Sequence, residues 1–248
     1  LFGVEPEEIK KDCIISPFWS ASALLGSKVH ANKGLLYETA EAEDFTLMKT
    51  GMGPVFCGDC VLYLKDTPCK NIYLFGSCGA VKNLDLGDMV LIKGAYDLEG
   101  FSRMLKNRDR YHFLHRPEVT QKMVSVPIFY NADKSLTNSL LEYAEDIKPA
   151  TCATVGSLKL EIKYKDAFVR NGIDCVDLEA SAVFSAANSV KRKALGLFYV
   201  SDVIEKYPFY KPYSSQEKNL LNESRKRAFR LLCQFINRNI SESKILKH

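Results

Sequence analysis

The apolar residues of the chain fall into short runs that are separated by longer stretches of mixed character. Five runs have the length and the apolar content expected of buried strands. They span residues 13–15, 71–75, 88–92, 174–177 and 195–200. Residues 34–50 alternate in places between apolar and polar side chains, which predicts a hairpin or a strand pair, and residues 125–130 are a further candidate strand.

Helical patterns lie between these runs. They predict helices over residues 55–66, 135–146 and 179–190, and a last helix that begins near Ser214. Ser214 and Glu217 fit a capping box, in which each residue bonds the backbone of the other. Apolar residues recur on one side of this helix, at Leu220, Leu221, Ala228, Leu231, Leu232, Phe235 and Ile236.

The alternation of strands and helices favours one α/β domain over residues 1–248, with a largely parallel or mixed sheet. Small residues at 51–54 and at 76–79 predict turns. Residues 100–117 are polar, basic and aromatic, and predict a long loop of the kind that forms lids or binding segments.

Composition narrows the class of protein. Hydrophobic residues make up 46% and charged residues 26% of the 248 positions, which is ordinary for a globular protein. A net charge of +4 is too balanced to indicate a nucleic-acid partner, and no apolar run approaches the ~20 residues of a membrane span. The first residues lack the apolar core of a signal peptide, so we expect a cytoplasmic protein with eight reduced cysteines. Cys57 and Cys60 read as ordinary thiols rather than as a redox or metal pair, because no second such pair follows.

Polar side chains follow three of the predicted strands. Ser77 comes after the strand at 71–75, and Asp202 follows the strand at 195–200. Asp177 ends the strand at 174–177, and Glu179 follows it. Ligands of open α/β sheets bind beyond the carboxyl ends of the strands, so the two acids Glu179 and Asp202 can face one cleft. The alternative is structural: Glu179 caps its own helix and Asp202 starts a turn.

Four motifs resemble the nucleoside phosphorylase superfamily, which includes purine nucleoside phosphorylases, uridine phosphorylases and methylthioadenosine nucleosidases. They are Gly-Met-Gly at 51–53, Gly-Ser-Cys-Gly-Ala-Val at 76–81 with Leu-Gly-Asp-Met-Val at 86–90, Val-Asp-Leu-Glu-Ala at 176–180 and Val-Ser-Asp at 200–202. The resemblance implies a three-layer α/β/α fold around a mixed, largely parallel, twisted sheet. It also implies a homo-oligomer that cleaves the N-glycosidic bond of a nucleoside through an oxocarbenium-like transition state.

The same resemblance implies roles for single residues. Glu179 matches the acid that holds the ribose hydroxyls, and Met52 and Leu178 match positions that pack against the sugar. Asp202 matches the catalytic acid that donates a proton or a hydrogen bond to a leaving purine, which requires a raised pKa. Ser77, in the turn that begins at Gly76, matches the phosphate-binding hydroxyl; phosphate is then a co-substrate, and no cofactor or metal is implied.

The residues at the positions that bind phosphate or water in the family depart from the family pattern. Leu74 stands where the phosphorylases carry an arginine, and residues 16–20 contain no arginine of a phosphate loop. Trp19 stands near the place of the glutamate that activates water in the hydrolytic members. Aromatic residues such as Phe18 and Trp19 are most often core residues, and in a cleft they would stack on a base.

Three readings of this departure remain open. Arginines of the 100–117 loop supply the missing charge, or Glu99 or His112 activates water, or the protein binds nucleosides without turning them over. Glu99, His112 and Ser201 are therefore candidate base or lid contacts. A dinucleotide-dependent oxidoreductase is a poorer alternative, because the glycine motif at 76–81 lacks the spacing of that class.

Overall fold

Ten strands and six α-helices alternate along the part of the chain that the computed structural model describes. That part covers residues 1–102 and 127–245, with the backbone alone for residue 160 and residues 241–245. The strands are β1 (Asp12–Ser16), β2 (Ala31–Lys33), β3 (Glu38–Glu41), β4 (Thr46–Lys49), β5 (Asn71–Ala80), β6 (Met89–Leu98), β7 (Phe129–Asn131), β8 (Lys148–Val155), β9 (Cys175–Asp177) and β10 (Lys193–Val203). The helices are α1 (Ala21–Leu25), α2 (Pro54–Tyr63), α3 (Lys134–Tyr143), α4 (Glu161–Arg170), α5 (Ala180–Ser189) and α6 (Ser215–Ile245).

The strands form one mixed sheet. Strands β4, β1, β5 and β10 lie side by side and run parallel, while β3 and β4 form the antiparallel pair predicted for residues 34–50. Strand β10 also pairs with β6, which connects through β8 and β9 back to β5. Strands β5, β10, β6, β8 and β9 therefore pair in a closed ring, and the ends of β5, β9 and β10 lie together in it.

Helices cover both faces of the sheet, which confirms the three-layer α/β/α prediction. The alternation in β5 shows the two sides: Ile72 and Leu74 pack in the apolar cluster under α2 and α5, whereas Tyr73 and Phe75 pack in the cluster under α3 and α6. All eight cysteines are free thiols, and seven of them are buried. None of the helices in the described ranges is both long and apolar enough to cross a membrane.

Local signals in the sequence set the ends of several helices. Helix α2 begins at Pro54, whose fixed φ and missing N–H suit the first helical position. The predicted capping box precedes α6: Ser214 N donates to Glu217 Oε2 at 2.7 Å, and Glu217 N donates to Ser214 Oγ at 3.2 Å. The apolar side of α6 is buried as predicted at Phe235 and Ile236, but Leu220 stays 46% exposed.

The predicted turn at 76–79 is wrong, because β5 continues through it to Ala80. Its small residues serve close packing instead. A Cβ on Gly76 would touch the ring of Phe198 at 3.5 Å, and one on Gly79 would lie 2.8 Å from Asp202 Oδ2. Strand β10 likewise runs on through Asp202, with a register shift between Val200 and Asp202.

Candidate active site

The end of β5 brings together the two acidic segments that the sequence singled out. Gly79 lies opposite Val176 on β9 and opposite Asp202 on β10. A Cβ on Gly79 would lie 2.8 Å from the Asp202 carboxylate and 3.3 Å from Val176 Cγ2. Since Val176 is followed closely by Asp177 and Glu179, the glycine allows the two segments to converge at one edge of the sheet.

Asp202 is a buried carboxyl group with one side-chain hydrogen-bond partner among the described residues. It is 6% exposed, and Ser201 Oγ donates to its Oδ1 at 2.7 Å. Burial raises the pKa of Asp202 above its usual value, and the hydrogen bond from Ser201 lowers it in part. The backbone carbonyl of Ser201 accepts a hydrogen bond from Tyr213 Oη at 2.9 Å, which holds this part of β10 in place.

Asp177 is the residue that caps α5. Its carboxylate accepts hydrogen bonds from Glu179 N at 2.9 Å, from Ala180 N at 2.6 Å and from Thr154 Oγ1 at 2.7 Å. An acid at the start of a helix satisfies amides that have no partner within the helix. Asp177 therefore has a structural task, and the alternative that Glu179 caps this helix is wrong, because the Glu179 side chain makes no capping bond.

Glu179 turns toward the Gly-Met-Gly motif. Its Oε1 accepts a hydrogen bond from Gly53 N at 2.7 Å across 126 residues of sequence. Gly53 has a φ of +106°, a conformation that favours glycine and that aims this amide at the carboxylate. Glu179 is 7% exposed, and burial together with the charge of Asp177 raises its pKa to about 8.

The two residues that were predicted to pack against a sugar are Met52, which precedes Gly53, and Leu178, which precedes Glu179. Met52, in the same turn as Gly53, is 57% exposed. Leu178 is half-buried and packs on an apolar cluster that includes Val155, Val176 and Ile204. Both therefore offer apolar surface next to Glu179.

A cavity of about 750 Å³ lies beside this edge of the sheet. Its wall is mostly apolar and aromatic and includes Tyr96, Leu98, Val155, Phe168 and Ile173. The wall also contains Glu161, which is 4% exposed. Burial, and then the charge of Asp202, raise the pKa of Glu161 to about 7. Sequence reasoning missed Glu161, because no motif marks it and helix α4, which it begins, was not predicted.

Ser77 lies among aromatic side chains. It lies opposite Tyr199 in the β5–β10 ladder. Burial raises the pKa of Tyr199, while the neighbouring Trp19 and Ser77 side chains and the charge of Arg225 lower it. The Arg225 guanidinium stacks 4.1 Å from the centre of the Trp19 ring. The backbone amides beside Ser77 were predicted to form an anion-binding turn. Gly76 belongs to strand β5 instead.

The remaining candidates separate into two groups. Glu99 is buried, and its carboxylate accepts hydrogen bonds from the amides of Phe101 and Ser102 and, at 2.8 Å, from Ser181 Oγ. It therefore ties residues 100–102 to α5. His112, like the arginines of the predicted loop, lies outside the described residues.

Comparison with known proteins places the fold. The chain is similar to solved structures of 5′-methylthioadenosine/S-adenosylhomocysteine nucleosidase from Helicobacter pylori (TM-score 0.70, 12% identity, 94% of this chain and 100% of that chain) and futalosine hydrolase from Helicobacter pylori (0.69, 12%, 93% and 100%). It is also similar to AMP nucleosidase from Bacteroides thetaiotaomicron (0.63, 20%, 90% and 90%). A search of curated protein sequences finds no significant match. The family model of the phosphorylase superfamily matches residues 24–237, and the chain belongs to this superfamily.

Proposed function

We propose that this protein hydrolyses the N-glycosidic bond of a purine nucleoside. The observation that carries the proposal is the pair of buried acids at adjoining strand ends, with Glu179 held by the Gly53 amide and Asp202 placed over Gly79. Membership of the superfamily and similarity to nucleosidases of known structure support the same class of reaction.

The division of labour follows from the charge that develops in the reaction. As the bond between C1′ and N9 breaks, its electron pair goes to the base and positive charge builds on the sugar. In our proposal, Asp202 gives its proton to N7 of the leaving base, and its raised pKa favours the protonated form that this step needs. Glu179 accepts hydrogen bonds from the ribose hydroxyls, and its negative charge stabilises the cationic sugar. Met52 and Leu178 pack against that sugar.

Water is the proposed acceptor, for a reason found at Leu74. This residue is fully buried in the core at the position where the phosphorylases carry an arginine. Binding a phosphate dianion depends on charged hydrogen-bond donors, and a guanidinium that is replaced by an alkyl chain is a large loss. An oxocarbenium-like sugar is a strong electrophile, so a water molecule that is only positioned can form the new bond to C1′ and then lose a proton to the solvent, which releases neutral ribose.

Phosphorolysis is the second candidate, and Arg225 is the observation that favours it. Its guanidinium lies over Trp19, next to the Tyr199–Ser77 pair, where it could supply charge to an anion. The two candidates differ in their need for phosphate. The expectations of a homo-oligomer and of a cytoplasmic location stay predictions.

Base release from a panel of nucleosides tests the proposal. Purified protein is incubated with adenosine, inosine, guanosine and methylthioadenosine, with and without phosphate, and free base is followed by chromatography. Hydrolysis predicts equal release in both conditions. Release that requires phosphate, and that Arg225→Gln abolishes, would replace hydrolysis by phosphorolysis. Binding of nucleosides without release of any base would contradict both and leave a nucleoside-binding protein.

A further inference from the structure

Glu161 is a buried carboxyl group for which the proposed reaction has no use. It begins α4, is 4% exposed and lines the cavity of about 750 Å³. Its Oε2 has no hydrogen-bond partner among the residues that the structure describes. An unpaired buried carboxylate oxygen is unfavourable, and a ligand that brings an N–H donor into the cavity would remove that cost.

The cavity adjoins the proposed catalytic residues. Asp202 is close enough for its charge to raise the pKa of Glu161. Val155, in the cavity wall, belongs to the same apolar cluster as Val176 and Ile204, and Leu178 packs on that cluster. A base that occupies the cavity while its sugar lies at Leu178 would therefore contact Glu161 in the wall and lie near Asp202.

The groups on the N7 edge of a purine determine what Glu161 would contact if Asp202 serves N7. N7 and the substituent at position 6 share one edge of the ring. Adenine presents an acceptor and an amino donor there, whereas 6-oxo purines present two acceptors. If Asp202 serves N7, a neighbouring carboxyl group faces position 6.

We propose that Glu161 reads the 6-substituent of the base and selects 6-amino over 6-oxo purines. This inference rests on the proposed function. The Glu161 carboxylate accepts a hydrogen bond from a 6-amino group, while a 6-oxo group sets two acceptors against each other. A glutamine at this position can turn either its oxygen or its nitrogen toward the base, so Glu161→Gln loses the discrimination.

The selectivity depends on pH. The titratable groups that face Glu161 are Asp202 on β10, Tyr96 on β6 and Tyr164 on α4. Since its pKa is raised to about 7, Glu161 is ionised and favours a 6-amino group above neutral pH. Below neutral pH the protonated carboxyl group can donate to a 6-oxo group. The preference for 6-amino purines therefore grows as pH rises.

Equilibrium binding of free bases tests this without any need for turnover. Calorimetry compares adenine, hypoxanthine and unsubstituted purine on the wild type, Glu161→Gln and Glu205→Gln. The last variant is a matched control, because Glu205 is a surface carboxylate paired with Lys165 of α4. We expect the wild type to prefer adenine over hypoxanthine by about tenfold, since a hydrogen bond to a charged group has about this worth. Glu161→Gln should remove that preference and leave the affinity for purine unchanged, and Glu205→Gln should change none of the three.

The pH dependence of the wild type gives a second test that needs no variant. The ratio of adenine to hypoxanthine affinity should rise between about pH 6 and about pH 8. The inference is overturned if Glu161→Gln keeps the wild-type ratio, if that ratio does not rise with pH, or if none of the three bases binds. Its failure is distinct from failure of the proposed function, because base release from nucleosides with an unchanged ratio in Glu161→Gln would refute the role of Glu161 alone.

Discussion

Replacing Asp202 by asparagine separates proton donation from shape. Asp202 is 6% exposed, its Oδ1 accepts from Ser201 Oγ at 2.7 Å, and its Oδ2 lies over Gly79. An asparagine has the same size, and its carbonyl oxygen can keep the bond from Ser201. Its amide can still donate a hydrogen bond to a base, but it has no proton to transfer.

The size of the effect follows from the supply of protons. A freely exposed aspartate is protonated in only about 0.1% of molecules at pH 7, and each unit by which burial raises the pKa of Asp202 multiplies that fraction about tenfold. Proton transfer from a placed acid contributes roughly 100- to 10,000-fold, or about 3–5 kcal/mol of the barrier. We therefore expect kcat of Asp202→Asn to fall by roughly these factors, with KM within about threefold of the wild type.

Steady-state base release, measured above and below KM, distinguishes kcat from KM. Asp166→Asn is the control, because this aspartate is exposed on α4 and its loss should change neither constant. Melting temperatures establish that both variants are folded. A folded Asp202→Asn protein with kcat within tenfold of the wild type would refute proton donation by Asp202. A rise in KM alone would assign this residue to holding the base.

Three further predictions follow from the same site. Glu179→Gln should lower kcat as well as raise KM, because the charged carboxylate both bonds the ribose hydroxyls and stabilises the cationic sugar. Burial and Asp177 raise the pKa of Glu179, so wild-type KM should fall as pH rises through about 8. Gly79→Ala should lower both turnover and melting temperature, because its Cβ would lie 2.8 Å from Asp202 Oδ2; unchanged kinetics would contradict this. Glu161→Gln should have a higher melting temperature than the wild type at pH 8 and an equal one near pH 4.5. The folded-state pKa of Glu161 is raised to about 7, so ionising this group lowers the stability of the wild type as pH rises from the unfolded-state pKa through 7.

Much of the fold was predictable because its signals are local. Pro54 at the start of α2 and the capping box before α6 act through neighbours on the chain. Strand β8 and helix α4 were missed for the opposite reason. The β8 sequence is rich in small and polar residues, and β8 is a strand because β6 and β9 pair with it on either side. In α4 only Glu161 and Phe168 are buried, so its sequence carries little periodic signal.

The glycines of β5 show where local rules mislead. Gly76 and Gly79 have the composition of a turn, and turn propensity is a property of the isolated chain. In the folded protein the carboxylate of Asp202 lies 2.8 Å from the place of a Cβ on Gly79, and the ring of Phe198 lies within contact distance of the place of a Cβ on Gly76. Pairing with β10 then makes this segment a strand, because tertiary packing outweighs a local preference of small size.

The sequence by itself determined the class of fold, the family and the position of two acids beside strand ends. The tertiary structure alone decided the surroundings of each acid. Asp177 satisfies the start of α5, which leaves Glu179 to bond Gly53 across 126 residues of sequence, and the charge of Asp202 acts on Glu161 although no motif marks that residue. The physical reason is range: helix starts and strand runs depend on adjacent residues, whereas burial, hydrogen-bond partners and pKa depend on segments that only folding brings together.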